Sequence, residues 1–248
     1  MNSFLKATER TYNNPSFIIR NKSKFTLDQR KFVIVRVTPN DYQSVMELFW
    51  NSYFIAEPTT VAAGLANTRN VTFENKIMES MAQGMSLMVR CRYDGSVVGA
   101  AINTAMCPWD PDLMDEFADT CSCQRMSDLL HFLAHISRAP KLWTRFCETK
   151  IFEVSYLATR PDDRRQGIGL ALLQRSLDLG KDLSYKVLRV DGTSRYTQLI
   201  CEKLKMKMVY EIPYESYRGP DGKVLFRPPP PHTSVKIYVS LPHSSENK

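Results

Sequence analysis

A glycine-containing loop at residues 164–171 combines residue types that bind a large anion. It reads Arg-Arg-Gln-Gly-Ile-Gly-Leu-Ala, so two arginines stand before two glycines. The first turn of a helix leaves backbone N–H groups without acceptors, and the helix dipole adds positive potential there. Gly167 and Gly169 have no Cβ to hold an anion away, and arginine guanidinium groups suit phosphate oxygens. A helix that begins here would therefore offer a site for a pyrophosphate.

The flanking residues predict that a helix does begin in this loop. Residues 152–159 form an apolar run with partial alternation, which predicts a mostly buried strand. After the loop, Leu170, Leu173 and Leu177 recur at helical spacing. The loop lacks the Lys-Ser/Thr ending of a P-loop and the second glycine pair of a dinucleotide fingerprint. A strand-to-helix turn with a basic rim and no ligand is the alternative interpretation.

A second candidate group is the carboxylate of Glu57, which follows an aromatic stretch. Pro58 restrains the backbone of Glu57 to an extended conformation, so the preceding helix should end there. Trp50, Tyr53 and Phe54 could wall an apolar pocket around the carboxylate, or they could belong to the core. Glu57 is thus a candidate functional residue, with a solvated surface glutamate as the alternative.

Hydroxyl groups cluster after another apolar run at residues 186–191, which predicts a short buried strand. Thr193 or Ser194 would cap the helix that follows, because both side chains accept a hydrogen bond from a first-turn N–H. Tyr196 lies in that first turn. Capping alone explains the two hydroxyl residues, and core packing is the alternative explanation for Tyr196.

The other predicted elements alternate between strands and helices, which indicates a mixed α/β domain. Strands are predicted at residues 31–37, 86–93, 96–104, 206–212 and 235–239. Helices are predicted after Asp41 and at residues 71–83, 128–136 and 141–148. Asp94-Gly95 predicts a hairpin between two of the strands. Residues 107–120 are rich in proline and aspartate and predict a loop.

The length and composition of the chain favour a single folded domain. The chain has 248 residues, of which 43% are hydrophobic. We expect a polar N-terminal extension at residues 1–30, a single domain at residues 31–242 and a tail at residues 243–248. No apolar run approaches the roughly 20 residues needed to cross a bilayer, and no secretory signal pattern is present. We therefore expect a cytoplasmic monomer that does not bind a membrane.

The sequence favours neither a metal ion nor a nucleic acid as a binding partner. Cys121, Cys123, His131 and His135 suggest a metal site, but zinc sites usually space paired cysteines by about two to four residues, so we expect no metal. The net charge of +7 is spread along the chain rather than clustered with aromatic residues, so we expect no nucleic-acid partner. A polyanionic small cofactor accounts for the basic balance equally well.

Residues 32–241 resemble the insect arylalkylamine N-acetyltransferases, including the dopamine and agmatine branches of that group within the GNAT superfamily. The features that carry the resemblance occur in the same order: Glu57-Pro58 after an aromatic helix end, the glycine loop, residues 193–204, and residues 224–232 ending in Pro231-His232. The resemblance implies a GNAT fold, which is a mixed twisted sheet of about seven strands with helices on both faces. It also implies acetyl-CoA as co-substrate, a small amine as acceptor, and no metal.

The same resemblance implies roles for individual residues. Glu57 matches the general base that deprotonates the amine through water, and Tyr196 matches a residue near the CoA sulfur. Thr193 and Thr197 stand where relatives carry active-site serines, and His232 matches a histidine beside the amine site. The expected acetyl-CoA contacts are Leu157, Ala158, Thr159, Arg164, Arg165, Gln166, Gly167, Ile168, Gly169, Leu170, Ala171, Ser194, Tyr196 and Lys203.

These roles fit the chemistry of acetyl transfer. An alkylamine has a pKa near the value of about 10.4 for lysine, so a base such as Glu57 must remove its proton before it attacks. Backbone N–H groups at residues 157–159 could stabilise the tetrahedral oxyanion, and Tyr196 is a candidate acid for the leaving thiolate. An arylalkylamine is the expected acceptor. The alternatives are an agmatine- or polyamine-type amine, a longer acyl-CoA donor, and a CoA-binding regulatory protein without turnover.

Overall fold

A seven-stranded mixed sheet forms the centre of the computed structural model, which describes residues 27–66, 69, 71–219 and 221–242. Most of the predicted N-terminal extension and the predicted C-terminal tail lie outside these residues. The strands are β1 Phe32–Arg36, β2 Leu87–Cys91, β3 Val97–Met106, β4 Ile151–Thr159, β5 Leu188–Gly192, β6 Lys207–Pro213 and β7 Ser234–Ser240. Their order in the sheet is β1-β2-β3-β4-β5-β7-β6.

Helices cover both faces of this sheet. They are α1 Tyr42–Ser52, α2 Pro58–Ala62, α3 Val71–Ala82, α4 Asp110–Thr120, α5 Gln124–Arg138, α6 Leu142–Phe146, α7 Ile168–Asp182 and α8 Arg195–Lys203. On one face α7 packs Leu172, Leu173 and Leu177 against the sheet. On the other face α1, α3 and α5 form a second apolar core with residues such as Phe49 and Phe132. The predicted fold class is confirmed.

The neighbouring strands β4 and β5 are parallel, and their pairing is short. It joins three residue pairs, from Phe152 with Leu188 to Val154 with Val190. The other pairings in the sheet are antiparallel. Within the described part of the chain, β4 has no partner on its β5 side after Val154, so a gap opens between the two strands at residues 155–159.

A β-bulge at Ser155 determines which side chains face this gap. Ile102 of β3 pairs with Tyr156, whereas the next residue, Asn103, pairs with Val154, so Ser155 is the extra residue of β4. Side chains alternate between the faces of a strand, and one extra residue shifts that alternation. As a result Leu157 packs on the α7 side, whereas Tyr156 packs on the side of α1 and α3.

The sequence predicts a loop at residues 107–120, and this prediction is wrong. The segment contains helix α4, Asp110–Thr120. Pro111 lies in the first turn of α4, where proline costs no intrahelical hydrogen bond, and Asp110 and Asp112 are acidic residues in that same turn. Proline and aspartate thus mark a helix start here rather than a loop.

Close contact between β3 and α7 depends on Gly99. A Cβ at Gly99 would lie 2.6 Å from Ile168 Cγ2 and 3.2 Å from the carbonyl oxygen of Ala158. Ile168 is the first residue of α7, so this contact also sets the position of the loop that precedes the helix. The glycine is therefore needed for the approach of α7 to the sheet.

We predict that Gly99→Ala destabilises the fold by about 1–3 kcal/mol, because the added methyl group overpacks this contact. Denaturant unfolding measures the loss. Ile168→Ala alone should also destabilise, but it removes the atom that the new methyl group would strike. The double variant should therefore lose less stability than the sum of the single variants, whereas strict additivity would show that the Gly99–Ile168 contact is not limiting.

Candidate active site

The start of α7 has the geometry of an anion site. Gly167 is the N-cap residue with φ +79°, and Arg165 two residues before it has φ +62°. Both lie in the left-handed region that favours glycine. Arg164, Arg165, Gln166 and Gly167 are exposed, so the first-turn N–H groups of α7 open towards solvent at this loop.

A buried carboxylate supports the loop from behind. Asp163 is 5% exposed and accepts hydrogen bonds from Arg160 Nε at 2.6 Å and from Gln166 Nε2 at 3.3 Å. Lys31 Nζ lies 3.8 Å from the same carboxylate and donates to Gln166 Oε1 at 2.9 Å. Arg164 donates to the carbonyl oxygen of Ser52, at the end of α1, at 3.4 Å. The loop is therefore tied to β1 and to α1.

The structure brings together the segments predicted to bind acetyl-CoA. A Cβ at Gly169 would lie 3.3 Å from Ile200 Cδ1 of α8 and 3.7 Å from Thr159 Oγ1 of β4. The end of β4, with Leu157, Ala158 and Thr159, thus meets the first turn of α7 and one side of α8. Ile168, Leu170 and Ala171 belong to that first turn, whereas Lys203 is exposed in the last turn of α8.

Glu57 has two carboxylate oxygens with different surroundings. It is 6% exposed and is the N-cap of α2, with the extended backbone that Pro58 predicts. Its Oε2 accepts from the backbone N–H of Thr60 at 2.7 Å and from the hydroxyls of Thr59 and Thr60 at 2.6 and 2.7 Å. Its Oε1 is buried and has no hydrogen-bond partner among the described residues. The first oxygen caps a helix, and the second is available to a ligand.

Tyrosines surround the carboxylate of Glu57. Burial, and next the charge of Glu57, raise the pKa of Tyr53 and of Tyr214 well above the ordinary value. Burial, with the charges of Glu153 and Glu57, also raises the pKa of Tyr156. These hydroxyl groups therefore stay protonated at neutral pH, and those of Tyr53 and Tyr156, which line the cavity described below, can donate hydrogen bonds to a bound molecule.

His232 is held by the start of α8. Its Nδ1 accepts a hydrogen bond from the backbone N–H of Arg195 at 3.0 Å, so the neutral ring carries its proton on Nε2. Burial lowers the pKa of His232, and the charge of Glu57 partly opposes this effect. The ring of Tyr196 contacts His232 edge-on at 5.6 Å between centroids. Tyr196 is 63% exposed, so it is not a core residue.

The hydroxyl residues near α8 divide between capping and the cavity. Ser194 is the N-cap and accepts from the backbone N–H of Thr197 at 3.1 Å, and the two hydroxyl oxygens lie 3.0 Å apart. Thr193 lines the cavity described below, and its carbonyl oxygen accepts from the hydroxyl of Tyr214 at 2.7 Å. The structure therefore assigns the cap to Ser194, which the sequence left open.

A cavity of about 290 Å³ lies beside the gap between β4 and β5. Its wall comes from α2, α3, α4, α5 and the strands β3, β4 and β5. The candidate functional residues from the sequence that line it are Glu57, Thr193, Tyr53 and Phe54. Trp50 packs outside it, 4.6 Å from Phe54 between ring centroids, and donates its indole N–H to Glu74.

Three charged residues at this cavity are missed by the sequence reasoning. Glu153 and Asp191 line the wall, and Arg189, which is fully buried, binds both carboxylates. All three interrupt apolar strand runs, since Glu153 lies in β4 and the other two lie in β5. A charged residue inside a buried strand is uncommon unless it is paired, and that was the available signal.

The residues weighed as a metal site have other contacts. His131 lies between Asp115 and Asp119, with ring nitrogen to carboxylate distances of 2.8 and 3.2 Å. His135 contacts the hydroxyl of Tyr210 at 3.4 Å. Cys121 and Cys123 are free thiols. No group of three or more potential ligands for a metal ion is found within the described ranges, and no helix there is long and apolar enough to cross a membrane.

We predict that Gly167→Val lowers the affinity for CoA by about tenfold or more, because a side chain there stands before the first-turn N–H groups. A Cβ at Gly167 meets no atom within 4 Å, so the variant should fold with only the local strain of its positive φ. Gly222→Val is the matched control, since Gly222 has φ +77° and equally open space in the loop between β6 and β7. Calorimetry with CoA should separate the two variants, and equal affinities in both would remove the anion site.

We predict that His232 weakens the fold as pH falls. Its pKa is lowered in the folded state, so the unfolded chain binds this proton more readily, and the free energy of unfolding decreases as pH falls through the unfolded value near 6.5. His232→Asn keeps an acceptor for the N–H of Arg195 but does not titrate. Between about pH 7.5 and about pH 5.5, denaturant unfolding should show a larger stability loss for the native chain than for this variant. Equal losses would show that His232 is not held neutral.

Solved structures of insect enzymes share this fold. A mosquito arylalkylamine N-acetyltransferase-like protein 5b matches with a TM-score of 0.80 and 27% identity, over 85% of this chain and 99% of its own. Arylalkylamine N-acetyltransferase 2 from Aedes aegypti matches with a TM-score of 0.80 and 23% identity over the same shares, 85% and 99%. The Drosophila melanogaster polyamine N-acetyltransferase that forms N-acetylagmatine matches with a TM-score of 0.77 and 22% identity, again over 85% and 99%.

No protein-family model matches the chain. The sheet of seven strands, the glycine loop that opens α7 and these structural matches nevertheless agree with one another. The chain thus has the fold of the GNAT superfamily of N-acetyltransferases and resembles the insect arylalkylamine N-acetyltransferases, as its sequence predicts.

Proposed function

We propose that the protein transfers the acetyl group of acetyl-CoA to a small primary amine, with Glu57 as general base. The observation that carries this proposal is the buried Oε1 of Glu57, which has no hydrogen-bond partner in the described part of the chain and lies at the cavity beside the β4–β5 gap. A buried carboxylate oxygen without a donor is costly unless a ligand uses it. An ammonium group, or a water that bridges to it, supplies the missing donor.

The gap between β4 and β5 suits the co-substrate. Among the described residues, no strand pairs with residues 155–159 of β4 on this side, and the pantetheine arm of CoA carries amide groups that can hydrogen-bond to a strand edge. The exposed start of α7, with Arg164 and Arg165, would then bind the pyrophosphate. We propose that acetyl-CoA contacts the residues that the sequence predicts, which lie at the end of β4, in the glycine loop and first turn of α7, and in α8 with its N-cap.

The reaction follows from these positions. Glu57 takes a proton from the amine, directly or through water, and the neutral nitrogen attacks the thioester carbonyl carbon. The new C–N bond gives a tetrahedral oxyanion, which backbone N–H groups at residues 157–159 would stabilise. The C–S bond then breaks, and the thiolate takes a proton from Tyr196, which we assign as general acid next to His232. The acetylated nitrogen gives up its second proton, which restores the Tyr196 hydroxyl through water, and Glu57 releases the first proton to solvent.

The cavity lining bears on the identity of the amine. Tyr53, Phe54, Phe73 and Tyr156 contribute aromatic rings to the wall, which supports an arylalkylamine as acceptor. An amine of the agmatine type is the second candidate, because carboxylates other than Glu57 line the same wall. A steady-state screen of both classes with acetyl-CoA and longer acyl-CoA donors, following thiol release, decides between them and detects a CoA binder without turnover.

The proposal extends to the compartment and the oligomeric state of the protein. The described cysteines are all free thiols, which fits a reducing compartment such as the cytoplasm. We propose that the protein acts there as a monomer, with residues 31–242 as the catalytic domain.

We predict that Glu57→Gln lowers kcat and kcat/KM for the amine by about a hundredfold or more, the usual contribution of a general base. The amide oxygen of glutamine can still accept from the N–H of Thr60, so α2 and the affinity for CoA should be preserved. Steady-state kinetics and CoA calorimetry give the two readouts.

Thr60→Val is the matched control for this prediction. It removes one hydroxyl donor to Glu57 Oε2 but keeps the carboxylate and the backbone N–H. A general base predicts a far larger loss of turnover in Glu57→Gln than in Thr60→Val. Equal and small losses would mean that Glu57 only caps α2, and the base assignment would then be abandoned.

A further inference from the structure

Part of the cavity wall is built around a fully buried guanidinium group. Arg189 is 0% exposed, and its Nε and Nη2 donate to the two carboxylate oxygens of Asp191 at 2.7 and 2.6 Å. Its Nε lies 3.4 Å from Glu153 Oε1, which is beside it in the parallel register of β4 and β5. Further N–H groups donate to the carbonyl oxygens of Ile136 and Ser137 at 3.3 Å each. The arginine is thus fixed between two strands and the end of α5.

The charges of this group do not cancel. Two carboxylates share one guanidinium group, so Glu153, Arg189 and Asp191 together carry a net charge of −1 when all are ionised. Burial, offset by Arg189 and reinforced by Asp191, raises the pKa of Glu153, and a cation placed beside it would favour its ionised form. Both carboxylates line the cavity, and each retains lone pairs that can accept from a ligand.

Lys76 also lines the cavity, but as an exposed residue it only partly offsets this negative charge. Lys76 lies within electrostatic range of Glu153, but it is exposed on α3, where solvent weakens its interaction and Glu79 is its neighbour one turn away. Asp110 accepts from the backbone N–H of Cys107 at 2.7 Å, in the segment that leads into α4. Both Glu79 and Asp110 add further negative charge to the lining.

The cavity thus offers two separate anionic positions. Glu57 supplies an unpartnered buried oxygen from the start of α2, and Glu153 with Asp191 supplies the second position from the strands. Tyr156 lines the same cavity as both positions. A molecule with basic groups at both ends could satisfy the two positions together.

We propose that Glu153 and Asp191, held in place by Arg189, bind a second basic group of the amine substrate, either ammonium or guanidinium. The inference rests on the proposed function and refines it, because it ranks an amine with two basic groups above an arylalkylamine with a neutral ring. The Glu57 position receives the nitrogen that is acetylated. The Glu153–Asp191 position orients the other end by charge-assisted hydrogen bonds.

The test compares cadaverine with pentylamine, which have the same chain length and differ in the second ammonium group. For the full chain with acetyl-CoA, kcat/KM should favour cadaverine by about tenfold or more, mainly through KM, as expected for one charged hydrogen-bonded contact. Glu153→Gln and Asp191→Asn should abolish this preference, measured in each variant as the ratio of kcat/KM for cadaverine to kcat/KM for pentylamine. Equal kcat/KM for the two amines in the native chain would overturn the subsite and leave the acetyltransferase proposal standing.

A second measurement keeps the test independent of turnover. Calorimetry of cadaverine and pentylamine with the CoA-bound protein should show the same preference, and equal affinities would also overturn the subsite. Turnover of neither amine, with the preference retained in binding, would instead count against the proposed function.

Two further variants control for folding and for charge. Asp191→Asn leaves a buried guanidinium group less well paired and could unfold the chain, so Lys76→Gln provides a surface variant instead. It removes a competing cation and should increase the preference for cadaverine; a decrease would contradict the subsite. Glu148→Gln breaks an ion pair with Lys186 outside the cavity lining and should leave the preference unchanged.

Discussion

The short parallel pairing between β4 and β5 is the constraint on which the rest of the site depends. Because it ends at Val154 and Val190, β4 continues past it with no described strand paired to that edge, and the cavity lies beside the resulting gap. The bulge at Ser155 falls immediately after the last pair and keeps Glu153 and Tyr156 on the same side of the strand. The buried Arg189 also lies at this point, where it fixes the two strands before they separate.

The carboxylate of Glu57 shows how one residue can serve structure and chemistry together. Three donors hold Oε2 and fix the Glu57 side chain at the start of α2. The carboxylate is therefore already in position, and little conformational entropy is lost when it reacts. The other oxygen is left without a partner in a wall of tyrosines whose hydroxyls stay protonated. The cap and the proposed base are therefore not competing explanations, because each uses a different oxygen.

The sequence predicts the parts of the site that depend on local patterns. The strand, loop and helix around Gly167 follow from glycines and leucine spacing, and the extended backbone of Glu57 follows from Pro58. It does not predict α4, because Pro111 is compatible with both a loop and a first helical turn. Nor does it predict the Arg189 group, since that depends on a register between strands separated by α7 in the chain.

The charge balance of the cavity links these features to substrate choice. Aromatic rings alone would favour an aryl group, but the described lining carries the carboxylates of Glu57, Glu79, Asp110, Glu153 and Asp191 against one lining cation, Lys76, with the Arg189 guanidinium group buried behind the wall. Replacing Arg189 would leave Glu153 and Asp191 without their buried cationic partner, so the arginine stabilises the fold whether or not a cation binds. A net negative charge on buried carboxylates costs free energy in an empty cavity. The same charge becomes favourable when a basic group of a ligand enters and pairs with it. The excess charge is therefore better explained by a ligand than by stability of the fold.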